Sequence, residues 1–140
     1  MTDMILRHQI ALTLTGAQAI LSAAQAHAME IGVPECIAVV DAGGILLAFA
    51  RMDGARIGSI DIALTKAISA ATRKRPTADE GGGDPLVGIK LALAATITQI
   101  GGGLPILIDG QTIGAIGVSS GTVPEDVAVA EAGLAALRVA

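Results

Sequence analysis

Apolar residues at Ile10, Leu14, Ala17, Leu21, Ala24, Ala28 and Ile31 recur every three or four positions, which predicts one long helix over residues 7–31 with a single buried stripe. Gly32 supplies its stop and Pro34 follows two residues later. On this wheel His8 falls opposite the stripe and His27 on its flank, so the two histidines share no face. The period then changes. "CIAVV" (36–40) is a short β-branched apolar run, "DAGG" (41–44) a turn that tolerates positive φ, and "ILLAFAR" (45–51) a returning strand, together a hairpin. Ser59 suits the cap of a second helix, with Asp61 in its first turn and Ile60, Ala63, Leu64, Ala67, Ile68 and Ala71 on its apolar face. It closes on "RKRP", cations at the carbonyl end before a proline.

"PTADEGGGDP" (76–85) is the strongly loop-like stretch of the chain. Residues 86–95 suit a short helix and "TITQI" (96–100) a strand, although apolar runs of this length do not separate the two states. "LPILID" (104–109) and "QTIGAIGVSS" (111–120) read as strands joined through Asp109-Gly110, a strong hairpin signal. Thr122 and Glu125 have capping-box spacing for a last helix from Pro124 to Val139. Adjacent antiparallel strands with helices between them predict an α+β sheet, in one domain over residues 1–140.

Composition narrows the function. Half the chain is apolar, 52%, yet it holds one Phe and no Trp or Tyr, so the core is built from Ala, Val, Ile and Leu. The net charge is −4 and no basic run exceeds "RKR" at 73–75, which, without aromatics to stack bases, argues against nucleic acid as a partner. Apolar stretches are interrupted well before the 18 residues a membrane span needs. "MTDMILRHQIALT" lacks a basic n-region and a small-residue cleavage site, so a cytoplasmic location is expected. Cys36 is the single cysteine and reads as a small buried hydrophobe.

Candidate chemistry is sparse. "GGG" at 101–103 precedes a strand rather than a helix, so it is no phosphate loop; Gly102 and Gly103 suit a bulge or a backbone lying close to a ligand or a neighbouring subunit. The small residues of "GAIGVSSG" (114–121) leave room for a packed helix or a flat ligand. The histidines and acids form no hydrolytic triad, and no His/Cys cluster has zinc spacing. Arg51, Asp53, Arg56 and Lys66 fall within sixteen residues around one turn and the start of one helix. An arginine fork beside an ammonium makes a carboxylate site; a local Arg51–Asp53 ion pair that locks the turn is the simpler alternative.

The blocks "IAVVDAGGILLAFARMDGA", "SIDIALTKAISAAT", "GGGLPILIDGQTIGAIGVSSGT" and "EDVAVAEAGLAAL" resemble, in order and spacing, the GlcG/HbpS family, the haem-degrading domain formerly called DUF336, over roughly residues 9–138. The corrinoid adenosyltransferase PduO carries a similar C-terminal domain. The resemblance implies a profilin-like, GlcG-like fold with a five-stranded antiparallel sheet packed by helices, assembled as a homo-oligomer, dimer or higher. It implies binding of a small molecule, with haem or a related tetrapyrrole ahead of other ligands and His27 as the axial ligand of the iron. An alternative drawn from relatives in catabolic gene neighbourhoods is an isomerase-, tautomerase- or hydrolase-type enzyme: Arg51 and Lys66 hold a small organic acid and Asp53 or Asp41 moves a proton. A non-catalytic accessory subunit is the third reading. The stretch "ADEGGGDPLVGIKLALAATITQI" departs most from the family pattern and suggests a pocket or interface difference there.

Overall fold

The computed structural model describes residues 4–78 and 97–137. Among these the order is α1 (Leu14–Ile31), β1 (Cys36–Asp41), β2 (Leu46–Arg51), α2 (Ser59–Arg73), β3 (Gly103–Ile108), β4 (Gln111–Ser119) and α3 (Val123–Ala135). The strands pair antiparallel in one sheet of order β2-β1-β4-β3. The fold is α+β, as the alternation of elements implies.

The sheet is covered on both faces, which explains why β1 is an unbroken apolar run. Its side chains alternate: Ile37 and Val39 join Ile20 and Ala24 of α1 and Val129 of α3, while Cys36, Ala38 and Val40 meet Ala63, Ala67 and Ala70 of α2. Small side chains bring the layers close. Gly117 of β4 lies directly under α2, where an added Cβ would overlap the Ala63 carbonyl oxygen and come within 2.5 Å of Ala67 N. A packed helix therefore occupies the space left free by "GAIGVSSG".

The turn chemistry read from sequence is present. Asp41 Oδ1 accepts from the amides of Gly43 and Ile45 at 2.9 and 3.0 Å, closing the first hairpin. Asp109 and Gly110 take φ of 50° and 77°, the two positive values a tight β3–β4 turn requires. Thr122 and Glu125 form a complete capping box on α3.

Several boundaries differ from the sequence pattern: the last helix ends at Ala135, and Gly58 rather than Ser59 is the N-cap of α2, without a side-chain cap bond. The sheet has four strands among the described residues, not five. Residues 97–100 of the expected "TITQI" strand are irregular: Thr98 N donates to Ser69 Oγ of α2 at 2.9 Å and Ile100 N to Thr98 Oγ1 at 3.1 Å. Hydroxyls on both sides thus take amides that a ladder would have used. The expected helix at 86–95 lies outside the described residues. Finally, α1 starts at Leu14 rather than near Arg7, because Thr13 caps it by accepting from Gly16 N at 3.0 Å. Ile10, Leu14 and Ile31 are exposed, and Ile20, outside the expected stripe, is fully buried.

Replacing Gly117 by Ala is expected to lower stability by about 1–3 kcal/mol through overpacking against the backbone of α2. Gly58→Ala, where an added Cβ meets nothing within 4 Å, is expected to change it by less than about 1 kcal/mol. Denaturant midpoints of the two variants test this; equal midpoints would remove the close α2–β4 approach as a constraint.

Candidate functional site

The C-terminal end of α1 and the "RMDGA" turn build a groove. Gly32 ends the helix with φ of 70°, and the chain passes through Val33 and Pro34 into β1. Opposite, Met52 N donates to Glu35 O and Ala55 N to Met52 O, both at 3.0 Å, while Gly54 takes φ of 91° beside Pro34. Between these walls lies a cavity of about 460 Å³ lined by Gln25, Ala28, Met29, Val33, Met52 and Asp53 among others. Its surface combines two thioethers with one amide and a single carboxylate. It suits a compact apolar ligand with a hydrogen-bond donor at one end.

The residues singled out from sequence are distributed over several places. Asp53 lines the groove. Arg51 ends β2 with an exposed side chain; among the described residues it forms no ion pair with Asp53, and backbone hydrogen bonds hold the turn. Arg56 reaches across to Ser120, donating from Nη2 to its carbonyl at 2.8 Å and from its own amide to Ser120 Oγ at 3.0 Å. Asp41 is engaged in the hairpin turn. His8 and Arg7 lie together at the far end of the molecule beside Lys74. His27 is half-buried on α1, with Nδ1 3.5 Å from Glu30 Oε2. It does not line the groove: it sits about 200° round the helix from Gln25, close to the opposite side.

Lys66 is the residue whose surroundings were not legible from sequence. Its side chain is 1% exposed, and Nζ donates to Val118 O at 2.7 Å and to Asp126 Oδ2 at 3.0 Å. Gly102 and Gly103 come to the same place as packing partners. Added Cβ atoms there would lie 2.9 Å from Lys66 Nζ and 2.5 Å from Lys66 O, respectively. Glu35, also fully buried, completes the cluster: its carboxyl lies beside that of Asp126 against Gly121, whose amide donates to Asp126 Oδ1 at 3.0 Å. Burial, then the contact with Asp126 and its negative charge, push the Glu35 carboxyl up to about 9, against smaller opposing effects of Lys66 and Gly121. Burial likewise raises the adjacent Cys36 thiol, with Arg51 pulling it down and Glu35 adding to the rise. A buried thiol held protonated is inert.

Glu35 and Asp126 did not stand out in the sequence because each has an ordinary local role, one entering a strand and the other in the first turn of a helix. Lys66 did carry a signal. Its spacing from Ala63, Ala67 and Ala70 places it within the apolar face of α2, where a charge must find a partner.

For a metal, no group of three or more His, Cys, Asp and Glu side chains among the described residues could hold an ion. Haem iron asks less, one or two protein ligands. The His27 imidazole meets that need: Glu30 faces Nδ1, an arrangement that orients a ligating ring and leaves Nε2 for the iron. The residues therefore fit a haem ligand on the outer flank of α1, apart from the groove. No described helix is long and apolar enough to cross a membrane.

Residues 12–135 match the family model described as haem degrading protein HbpS-like. The chain is 42% identical over 127 residues to a 15.0 kDa protein from the dhaT–dhaS intergenic region of Citrobacter freundii, covering 88% of this chain and 89% of that one. Among solved structures, Klebsiella pneumoniae ORFY, of the DUF336 family, is 38% identical with a TM-score of 0.85 over 96% of each chain. The PduOC–haem complex is 30% identical with a TM-score of 0.81, over 91% of this chain and 95% of that one.

Removing the ammonium while keeping its length, as in Lys66→Met, leaves Asp126 buried without its counter-ion. The expected loss is about 3–5 kcal/mol in denaturant unfolding. A loss below about 1 kcal/mol would mean that the pair contributes no more than an exposed one does.

Proposed function

The chain belongs to the HbpS-like family, and on that footing we propose that it binds haem or a related tetrapyrrole, with His27 as the ligand to the iron. The observation that carries this reading is the haem complex of a relative that shares nearly the whole fold at 30% identity. Within this chain, the imidazole of His27 backed by Glu30 is the group suited to iron. Bound haem would supply the redox and oxygen chemistry of its iron. The protein's part is to orient His27 through Glu30 and to offer Ala23 and Ile31, on the same side of α1, as apolar surface for the macrocycle.

Little in the geometry favours the organic-acid reading. Lys66 is committed to Asp126 and Val118 inside the protein, Asp41 to its turn, and among the described residues the charged side chain lining the groove, Asp53, is an acid. A carboxylate ligand would meet repulsion there rather than a cation.

Haemin titration followed by absorbance tests the proposal in wild type, His27→Ala and Met52→Ala. A saturable, stoichiometric Soret shift in wild type and Met52→Ala, reduced at least about tenfold in affinity in His27→Ala, is the expected result. Unchanged binding in His27→Ala overturns His27 as the ligand; loss in Met52→Ala alone moves the site to the groove.

A further inference from the structure

The cluster behind the groove presents a problem of donors and acceptors. Lys66, Asp126 and Glu35 are all buried, and among them stand one cation and two carboxyl groups. Asp126 is fully used: Oδ2 accepts from Lys66 and Oδ1 from Gly121. Glu35 is not. Taken as a carboxylate, neither of its oxygens has a donor, although both are sealed from water and the group lies against Asp126. Two acceptor-only groups in contact inside a protein repel and leave lone pairs unsatisfied. One proton resolves both faults by turning the contact into an O–H···O bond donated by Glu35.

Nor can the space adjust by admitting another group. An added Cβ at Gly121 would lie 2.7 Å from Glu35 Oε1 and 3.0 Å from Asp126 Oδ1, so the backbone is pressed against both carboxyls. The groups that face Glu35 come from each packed element: Lys66 from α2, Asp126 from α3 and the Cys36 thiol from β1. The neutral thiol cannot compensate a second negative charge, and Lys66 is already matched by Asp126.

We infer that Glu35 and Asp126 share a single proton held on Glu35, and that this proton latches the wall of the neighbouring groove. The link to the groove is the main chain of Glu35. Its carbonyl accepts from Met52 N at 3.0 Å and thereby ties the Val33–Pro34 wall to the Met52–Asp53 wall. Loss of the proton places a second carboxylate beside Asp126 and pushes Glu35 away from the cluster, which slackens that tie. The inference concerns the groove and is independent of haem binding at His27.

The direction with pH follows from linkage. The folded protein keeps on Glu35 a proton that the unfolded chain releases near 4.5, up to about 9. Stability from this group is thus complete below the lower value and is lost as pH rises towards the upper one. The experiment is unfolding by denaturant from about pH 6 to about pH 10 in wild type and in Glu35→Gln, which keeps a donor to Asp126 but does not titrate. The wild-type unfolding constant is expected to grow by up to about tenfold per pH unit more steeply than that of the variant. In parallel, wild type alone should show the infrared C=O band of a protonated carboxylic acid at neutral pH, fading at alkaline pH together with a shift of the Met52 methyl resonance. The infrared band requires no variant to fold. Identical pH slopes in the two proteins, or no protonated-acid band at neutral pH, overturns the shared proton. A fading band with an unmoved Met52 resonance overturns the latch.

Discussion

An ammonium group taken out of water costs several kcal/mol unless its new surroundings return the hydration it lost. In this fold Lys66 is that group, and the positions of three elements follow from satisfying it. The helix that carries it must lie close enough to β4 for Nζ to reach the Val118 carbonyl at 2.7 Å, and α3 must present Asp126 at 3.0 Å. Glycine makes both approaches possible. Gly117 admits the backbone of α2, and Gly102, with φ of 122°, leaves room beside the ammonium. The middle of the molecule therefore allows little drift between layers.

The groove inherits its shape from that interior. Its walls are a helix end and a strand end, both of which need partners for their last backbone groups. Gly32 supplies one by turning back on Ala28 and Met29, and Met52 supplies another by donating to Glu35. Because Glu35 faces the buried cluster with its side chain and the groove wall with its carbonyl, the two regions share one residue. The groove is in this way joined to a polar core by a single peptide group.

His27 belongs to a different part of the surface. The groove and the imidazole lie on nearly opposite sides of α1, with the face that packs on the sheet and α3 between them. One helix thus carries two surfaces of unlike chemistry, a thioether-lined hollow and an imidazole backed by a carboxylate.

The sequence by itself determined what depends on neighbours a few residues away. Both hairpin turns, the Gly32 stop, the capping box at Thr122 and the apolar run of β1 were legible, because turn chemistry and period are local. The resemblance carried the family, while His27 could be placed on a flank but not beside a pocket. Tertiary structure decided the rest. Lys66 reads as part of a carboxylate site until Asp126, sixty positions away, is found against it. Glu35 is unremarkable until burial removes its water. Among the described residues of the expected fifth strand, a hydroxyl on α2 takes the Thr98 amide, a competition that no local pattern records. Charge, burial and hydrogen-bond supply are properties of the assembled interior, and only the fold fixes which groups must satisfy one another.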